Sequence, residues 1–322
     1  MNRNLITVLR ELGLVVLFVI TFAIIWILVP AFGSSRNMIG LLNLVSTSGL
    51  VAGSMMLCLA SRDFDLSVGS NVAFCGMMVV IGTNLTHSIL LGIVMALICG
   101  SIVGVFNGVL IAKLKINALI ATLATMQIIR SFAYISGNGR AIGVSDEGFN
   151  VIGLTKFSFL PSPFDQVPLP IWVTLLSFIV FGFILNRTVF GRNVLAIGGN
   201  PDASRLAGVN VEWTRIAIFT IQGLMCAIAG VLSASRITSG QPGSSIGLEL
   251  TVISACVLGG VSLAGGRATI SGVIVGVLIL GMAQNVMDLL GIQSFYQMFV
   301  LGMILLTAVL FDNILAGAYR RR

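Results

Sequence analysis

The feature that most constrains this chain is a succession of apolar runs with at most one charge apiece, each close to the roughly 20 residues a helix needs to cross the hydrocarbon of a bilayer. In lipid every backbone polar group must be satisfied within the protein, so such runs are expected to span as helices. Cut at its polar interruptions, the sequence yields ten candidate spans: Leu12 to Val29, Met38 to Ala60, Leu66 to Thr83, Ile89 to Ala112, Asn117 to Ile135, Pro170 to Leu185, Ile216 to Ser235, Gly247 to Val261, Ile270 to Leu290 and Phe295 to Phe311. The eighth is the shortest. The expected fold is an all-α integral membrane domain that occupies residues 1–322. Composition leaves no room for a soluble domain, because only 9% of residues are charged where a water-facing surface calls for about 25%.

Charge then orients the spans. Arg3 and Arg10 precede the first run, which is longer than a signal-peptide core and lacks a small-residue cleavage site, so it reads as a retained span that begins in the cytoplasm. With that start, thirteen of the 18 basic residues fall on the inner side, including Arg62, Lys113, Lys115, Arg187, Arg192, Arg205, Arg215, Arg267 and Arg320 to Arg322. Arg36, Arg130, Arg140, Lys156 and Arg236 fall at or near the outer side, and both termini are expected inside. The net charge of +7 is thus explained by topology, and the basic residues are too scattered for a nucleic-acid surface. The five cysteines, Cys58, Cys75, Cys99, Cys226 and Cys256, lie in apolar runs without metal-ligand spacing and read as small buried hydrophobes. No metal or cofactor is expected.

Two connections exceed simple turns. The outer one, Ser136 to Leu169, carries Asp146, Glu147 and Asp165 and is expected to meet an external partner; the inner one, Asn186 to Arg215, an internal partner. An internal echo divides the chain into halves of about 12–135 and 170–311. Ser67 at the opening of the third span and Ser245 at the opening of the eighth are 178 residues apart, as are Asn107 and Asn285, while Ile116 and Ile292 are 176 apart. Five intervening spans reverse the direction of the second copy, which makes an inverted five-plus-five repeat of the transporter kind. Asp65, Ser67 and Gly69 in one half, and Ser245 and Gly247 in the other, are the expected gate or turn residues. Gly100, Gly104 and Gly108, with Gly272 and Gly276, permit close helix contact, either within the chain or across a dimer.

An uphill transporter needs an energy source. The sequence has no phosphate-binding G-x-x-x-x-G-K-[ST] loop, its only histidine, His87, lies in a short outer loop, and the acids Glu249 and Asp288 sit near span ends. The inner connection instead contains a short isolated helix from Asn200 to Gly208. Asn200 caps it, Pro201 occupies the position where a missing donor is harmless, Asp202 complements the positive end, and Gly208 ends it. With Ala203 and Leu206 on one face, and Ser204, Arg205 and Ala207 completing it, this helix suits either contact with a separate motor protein or rest on lipid headgroups.

Several stretches resemble the monosaccharide permeases of ABC importers, the family of ribose, galactose, xylose and L-arabinose systems. They are Asp65-Leu66-Ser67-Val68-Gly69-Ser70, the loop from Gly191 through Gly198-Gly199-Asn200 to Val209, and Val257 to Gly266. Phe64, the run from Ala112 to Ile120, and Thr238 to Pro242 are most similar to the L-arabinose branch, whereas Arg62 stands where the pattern has glycine. The resemblance implies a permease without its own ATPase site. Its implied partners are cytoplasmic ATP-binding subunits, a periplasmic sugar-binding protein and a second permease copy. It also implies an inner-membrane location and a coupling role for Asn200 to Gly208. Polar residues at span depth, Asn117, Thr122, Gln127, Gln284 and Asn285, are candidates for a central path, and each can equally satisfy a neighbouring helix. An ion-coupled sugar carrier is the rival of another class; a passive channel lacks any visible filter.

Overall fold

The computed structural model describes residues 3–156 and 164–320. Met1, Asn2, Arg321, Arg322 and the 157–163 stretch of the Ser136 to Leu169 connection lie outside the described residues. Among the described residues seven helices are long and apolar enough to cross a membrane: α2 (Ser35–Ala60), α3 (Val68–Thr86), α4 (Ile89–Ala112), α5 (Ala118–Ser136), α7 (Leu169–Arg187), α10 (Val211–Ile237) and α12 (Ile270–Leu289). Three shorter apolar stretches, Leu12–Leu28 in α1 (Arg3–Leu28), Leu248–Leu258 as α11 and Ser294–Thr307 in α13 (Ser294–Arg320), coincide with the first, eighth and tenth expected spans. The helix starts are chemically marked. Ser34, Ser88, Asn117 and Asn210 each accept a backbone N–H of the following first turn through the side chain, satisfying donors that have no intrahelical partner.

α10 is the axis of the bundle, packed by α2, α3 and α4. The glycine ladder of α4 faces it. A Cβ on Gly104 would stand 2.9 Å from Thr220 Cα, and one on Gly108 2.8 Å from Ile216 Cα. Gly276 likewise faces α11 at Ala255 and Gly259. These spacings therefore serve packing within the chain, where bare backbones gain dispersion contact that lipid tails cannot match. α2 is enclosed from Gly49 to Ala60 by α10, α7, α11 and α12, with Leu50, Met55, Leu57 and Leu59 fully buried.

Several boundaries depart from the sequence reading, among them α1 beginning at Arg3 rather than Leu12 and α13 running to Arg320 rather than Phe311. The connection from Asn186 to Arg215 is largely helical: α8 (Val189–Gly199), whose first turn is capped by Thr188 Oγ1, precedes α9 (Pro201–Leu206), and α10 begins at Val211 rather than Ile216. Arg192, Asn193 and three glycines make α8 read as a loop, but Gly191, Val194, Ile197 and Gly198 are buried, and that packing overrides weak propensity. The third span begins at Val68 instead of Leu66 and runs on to Thr86. The connection from Ser136 to Leu169 is folded too. Its β1 (Ile142–Gly143) pairs antiparallel with β2 (Ser239–Gly240), and it contains the short helix α6 (Asn150–Leu154). Gly153 N donates to Ser235 Oγ at 2.7 Å, and Ser235 Oγ donates to Phe149 O at 2.5 Å.

α3 does not start at the end of the bundle. Gly230 packs between Val72 and Gly76, and Gly76 packs on Gly230 and Ala234, so Val68 is level with the middle of α10. The segment from Ser61 to Ser67 therefore enters the bundle as irregular backbone, with Ser61, Asp63, Asp65 and Ser67 buried. Such backbone is tolerated at depth only where protein or a cavity surrounds it.

Candidate permease site and its family

Two features of the fold have functional geometry: the small helix α9 and the place where the broken lead-ins of α3 and α11 meet. α9 is built as expected. Asn200 Oδ1 accepts the N–H groups of Asp202 and Ala203, each at 3.0 Å, and Pro201 opens the helix. Ser204 is buried, its hydroxyl donating to Asn200 O at 2.8 Å. Gly208 closes the helix in the left-handed region at φ +85°. Arg205 lies 3.4 Å from Asp202, but both side chains are exposed, so the pair adds little stability. Ala203 and Ala207 are exposed and Leu206 is 91% exposed.

Behind α9 lies a cavity of about 730 Å³ bounded by the α2–α3 turn, the α4–α5 turn and the start of α10, with Arg62, Asp63, Lys115, Asn117 and Arg205 among its lining residues. Arg215 Nε stands 3.0 Å from Asp63 Oδ2, an ion pair at the base of the turn. Burial pushes the Asp63 carboxyl from 3.8 up to about 6, with the Arg215 charge and the Ser61 hydroxyl opposing the shift. Arg62 takes φ +69°, a conformation that costs a side-chain-bearing residue about 1 kcal/mol and that glycine adopts freely. The departure from glycine noted in the sequence thus falls where the backbone asks for glycine.

Of the expected gate or turn residues, Gly69 and Ser245 touch across the two halves. Asp65 Oδ1 accepts Ser67 N at 2.9 Å and the Ser67 hydroxyl at 2.6 Å, and Asn107 Nδ2 donates to Ser67 Oγ at 2.9 Å. Gly69, in the first turn of α3, is pressed against Ser245 O, and a Cβ there would stand 2.5 Å from Glu249 Oε2. Ser245 and Gly247 have φ of +58° and +81°, which turns the chain into α11. Arg130 Nη1 pins this segment by donating to Pro242 O at 2.8 Å and Ser244 O at 2.7 Å. Asn285 does not repeat the role of Asn107: it exchanges two hydrogen bonds of 2.9 Å with Asn37.

The five path candidates are dispersed. Asn117 caps α5 and borders the cavity; Thr122 is buried and donates to Ala118 O at 2.7 Å. Gln127 is exposed halfway along α5, and Gln284 lines a narrow crevice with Ser48 and Thr251. Sequence reasoning did not single out Asp63 or Gln222, placed Arg130 and Arg215 only by side of the membrane, and noted Gly198 only within the family-like stretch. Gln222 Nε2 and Asn107 Oδ1 are buried without a hydrogen-bond partner. Glu249 was marked only as an acid near a span end.

Many apolar helices, two of them approached by irregular backbone at depth and one small helix standing outside, define a multi-pass membrane permease. The family model described as "Branched-chain amino acid transport system / permease component" matches residues 37–309, and the chain belongs to that family. The L-arabinose transport system permease protein AraH of Escherichia coli (strain K12) is 52% identical over 94% of this chain and 90% of its own length. The L-arabinose ABC transporter permease protein AraH of Azospirillum brasilense is 50% identical over 96% and 88%, and the ribose import permease protein RbsC of Escherichia coli (strain K12) 35% over 95% and 94%. No solved structure matches the chain.

Proposed function

We propose that this chain is the membrane-spanning permease subunit of an ATP-driven importer that carries L-arabinose from a periplasmic binding protein into the cytoplasm. The observation that carries the reading is the 52% identity to an L-arabinose permease along 94% of the chain, well above the 35% to a ribose permease. In this reading the chain is a single permease domain of the bacterial inner membrane, with ten spans and both termini in the cytoplasm. ATP is hydrolysed by partner subunits that push on Asn200 to Gly208. The exposure of Leu206 beside a capped helix supports that contact.

The inverted repeat is part of the proposal. Two of the residues at matching places in the two halves, Gly69 and Ser245, meet near the level of the α10 midpoint, where transporters of this design keep their alternating path. A second permease copy completes that path. Gln127, an amide exposed midway along α5, is poorly suited to lipid and suits either the path or the partner copy, with Asn117 and Gln284 as further lining candidates.

The test is reconstitution of the chain with its ATP-binding subunits and binding protein in vesicles. L-arabinose should enter only with ATP, and its loaded binding protein should stimulate hydrolysis more than those loaded with ribose or galactose. Uptake by the permease alone that collapses with the proton or sodium gradient would instead establish an ion-coupled carrier.

A further inference from the structure

α8 and α9 share one residue. Asn200 ends α8, donating its N–H to Ala196 O at 3.0 Å, and its side chain starts α9. The last turn of α8 is where α9 is rooted, and it is not free. Gly198 is pressed against the carbonyl of Ala60, the last residue of α2, and a Cβ on Gly198 would stand 2.5 Å from Gly266 N. The N–H of Gly266 donates to that same Ala60 O at 2.9 Å. Gly265, at φ +78°, closes the other side, since a Cβ there would lie 2.9 Å from both Gly198 Cα and Arg62 Cβ.

Three chain segments are thus locked at one point, and two of them lead to the meeting place of the halves. Ala60 precedes the buried Ser61 to Ser67 segment that opens α3. Gly265 and Gly266 belong to the loop after α11, whose other end is the Ser245 to Glu249 stretch against Gly69. We infer that Gly198 is a positioning residue of the transport cycle. It forms a backbone clamp that passes displacement of α9 to the α3 and α11 lead-ins together. The inference rests on the importer reading above. Contact between backbones suits the task, because packed interfaces switch between discrete arrangements and do not stretch, and glycine is required because any side chain would occupy the place of the Gly266 to Ala60 hydrogen bond.

The test uses the complete importer in vesicles, comparing wild type, Gly198→Ala and Gly199→Ala. Gly199 is the control because a Cβ there meets nothing within 4 Å. Gly198→Ala should retain its ATP-binding subunits and hydrolyse ATP, yet move about tenfold less sugar per ATP, within the range that mutations along a coupling route produce. Gly199→Ala should keep the wild-type ratio. A Gly198→Ala complex with an unchanged ratio overturns the clamp. Should that variant fail to assemble, hydrogen exchange on the wild-type importer decides. Peptides holding Gly266 must stay protected in both the nucleotide-free and ATP-trapped states while those covering Ser61 to Ser67 change, and loss of protection at Gly266 on trapping refutes the clamp. Wild-type uptake independent of ATP would refute the importer reading itself and is seen before any variant is compared.

Discussion

Arg215 is the sharpest place to test how the turn between α2 and α3 is held. Its Nε lies 3.0 Å from Asp63 Oδ2, and the two side chains are 23% and 6% exposed. Even with this partner, burial holds the Asp63 carboxyl at about 6 rather than 3.8, so ionising it in the folded chain costs about 3 kcal/mol at 1.36 kcal/mol per pH unit. Because the folded carboxyl keeps its proton to higher pH than the unfolded one, this group contributes most stability below 3.8. The contribution falls as pH rises to about 6 and is flat above. Arg215→Ala at pH 8 removes the compensating charge and should destabilise by about 3 kcal/mol, the low end for breaking a buried pair because Asp63 can take up a proton. In an Asp63→Asn background the same change should cost under about 1 kcal/mol, so the coupling is about 2 kcal/mol. Denaturation of the detergent-solubilised protein, followed by tryptophan fluorescence in all four variants at pH 5 and pH 8, measures it. Equal cost of Arg215→Ala in both backgrounds, or at both pH values, would refute the reasoning.

Asp63→Asn alone should flatten the stability profile between pH 4 and 6, because the raised carboxyl no longer titrates there; the same denaturation series reads it. Leu206→Ala should leave stability within about 0.5 kcal/mol while lowering stimulation of the ATP-binding subunits, measured as phosphate release from the assembled importer. Asn200→Ala should fray α9 at a cost of about 1 kcal/mol, detected as faster hydrogen exchange at Asp202 and Ala203. Gly104→Val would drive two methyls into the α10 backbone at Phe219 and Thr220. It should cost about 3 kcal/mol or more, the upper range for overpacking, seen as loss of monodisperse protein on extraction.

The helices that face lipid, and the small helix that does not, are written locally in the amino-acid order. A run such as Ile89 to Ala112 is legible residue by residue, because each side chain must suit lipid on its own account. α9 is equally local: Asn200, Pro201 and Gly208 lie close together in the chain, and the structure places each cap where the residue types predict it. α8 escaped notice because Arg192 and three glycines do not announce a helix in isolation, and only burial of Val194 and Ile197 against the bundle makes the helix worth forming. Which glycines face which helix, how deep α3 begins, and that Gly198 and Gly266 meet at the Ala60 carbonyl were settled by the folded packing alone. Those facts depend on pairs of residues far apart in the chain. A glycine's value lies in the backbone that approaches it, and a buried charge such as Asp63 is set by Arg215 on a distant helix, so neither leaves a mark in its own neighbourhood of the sequence.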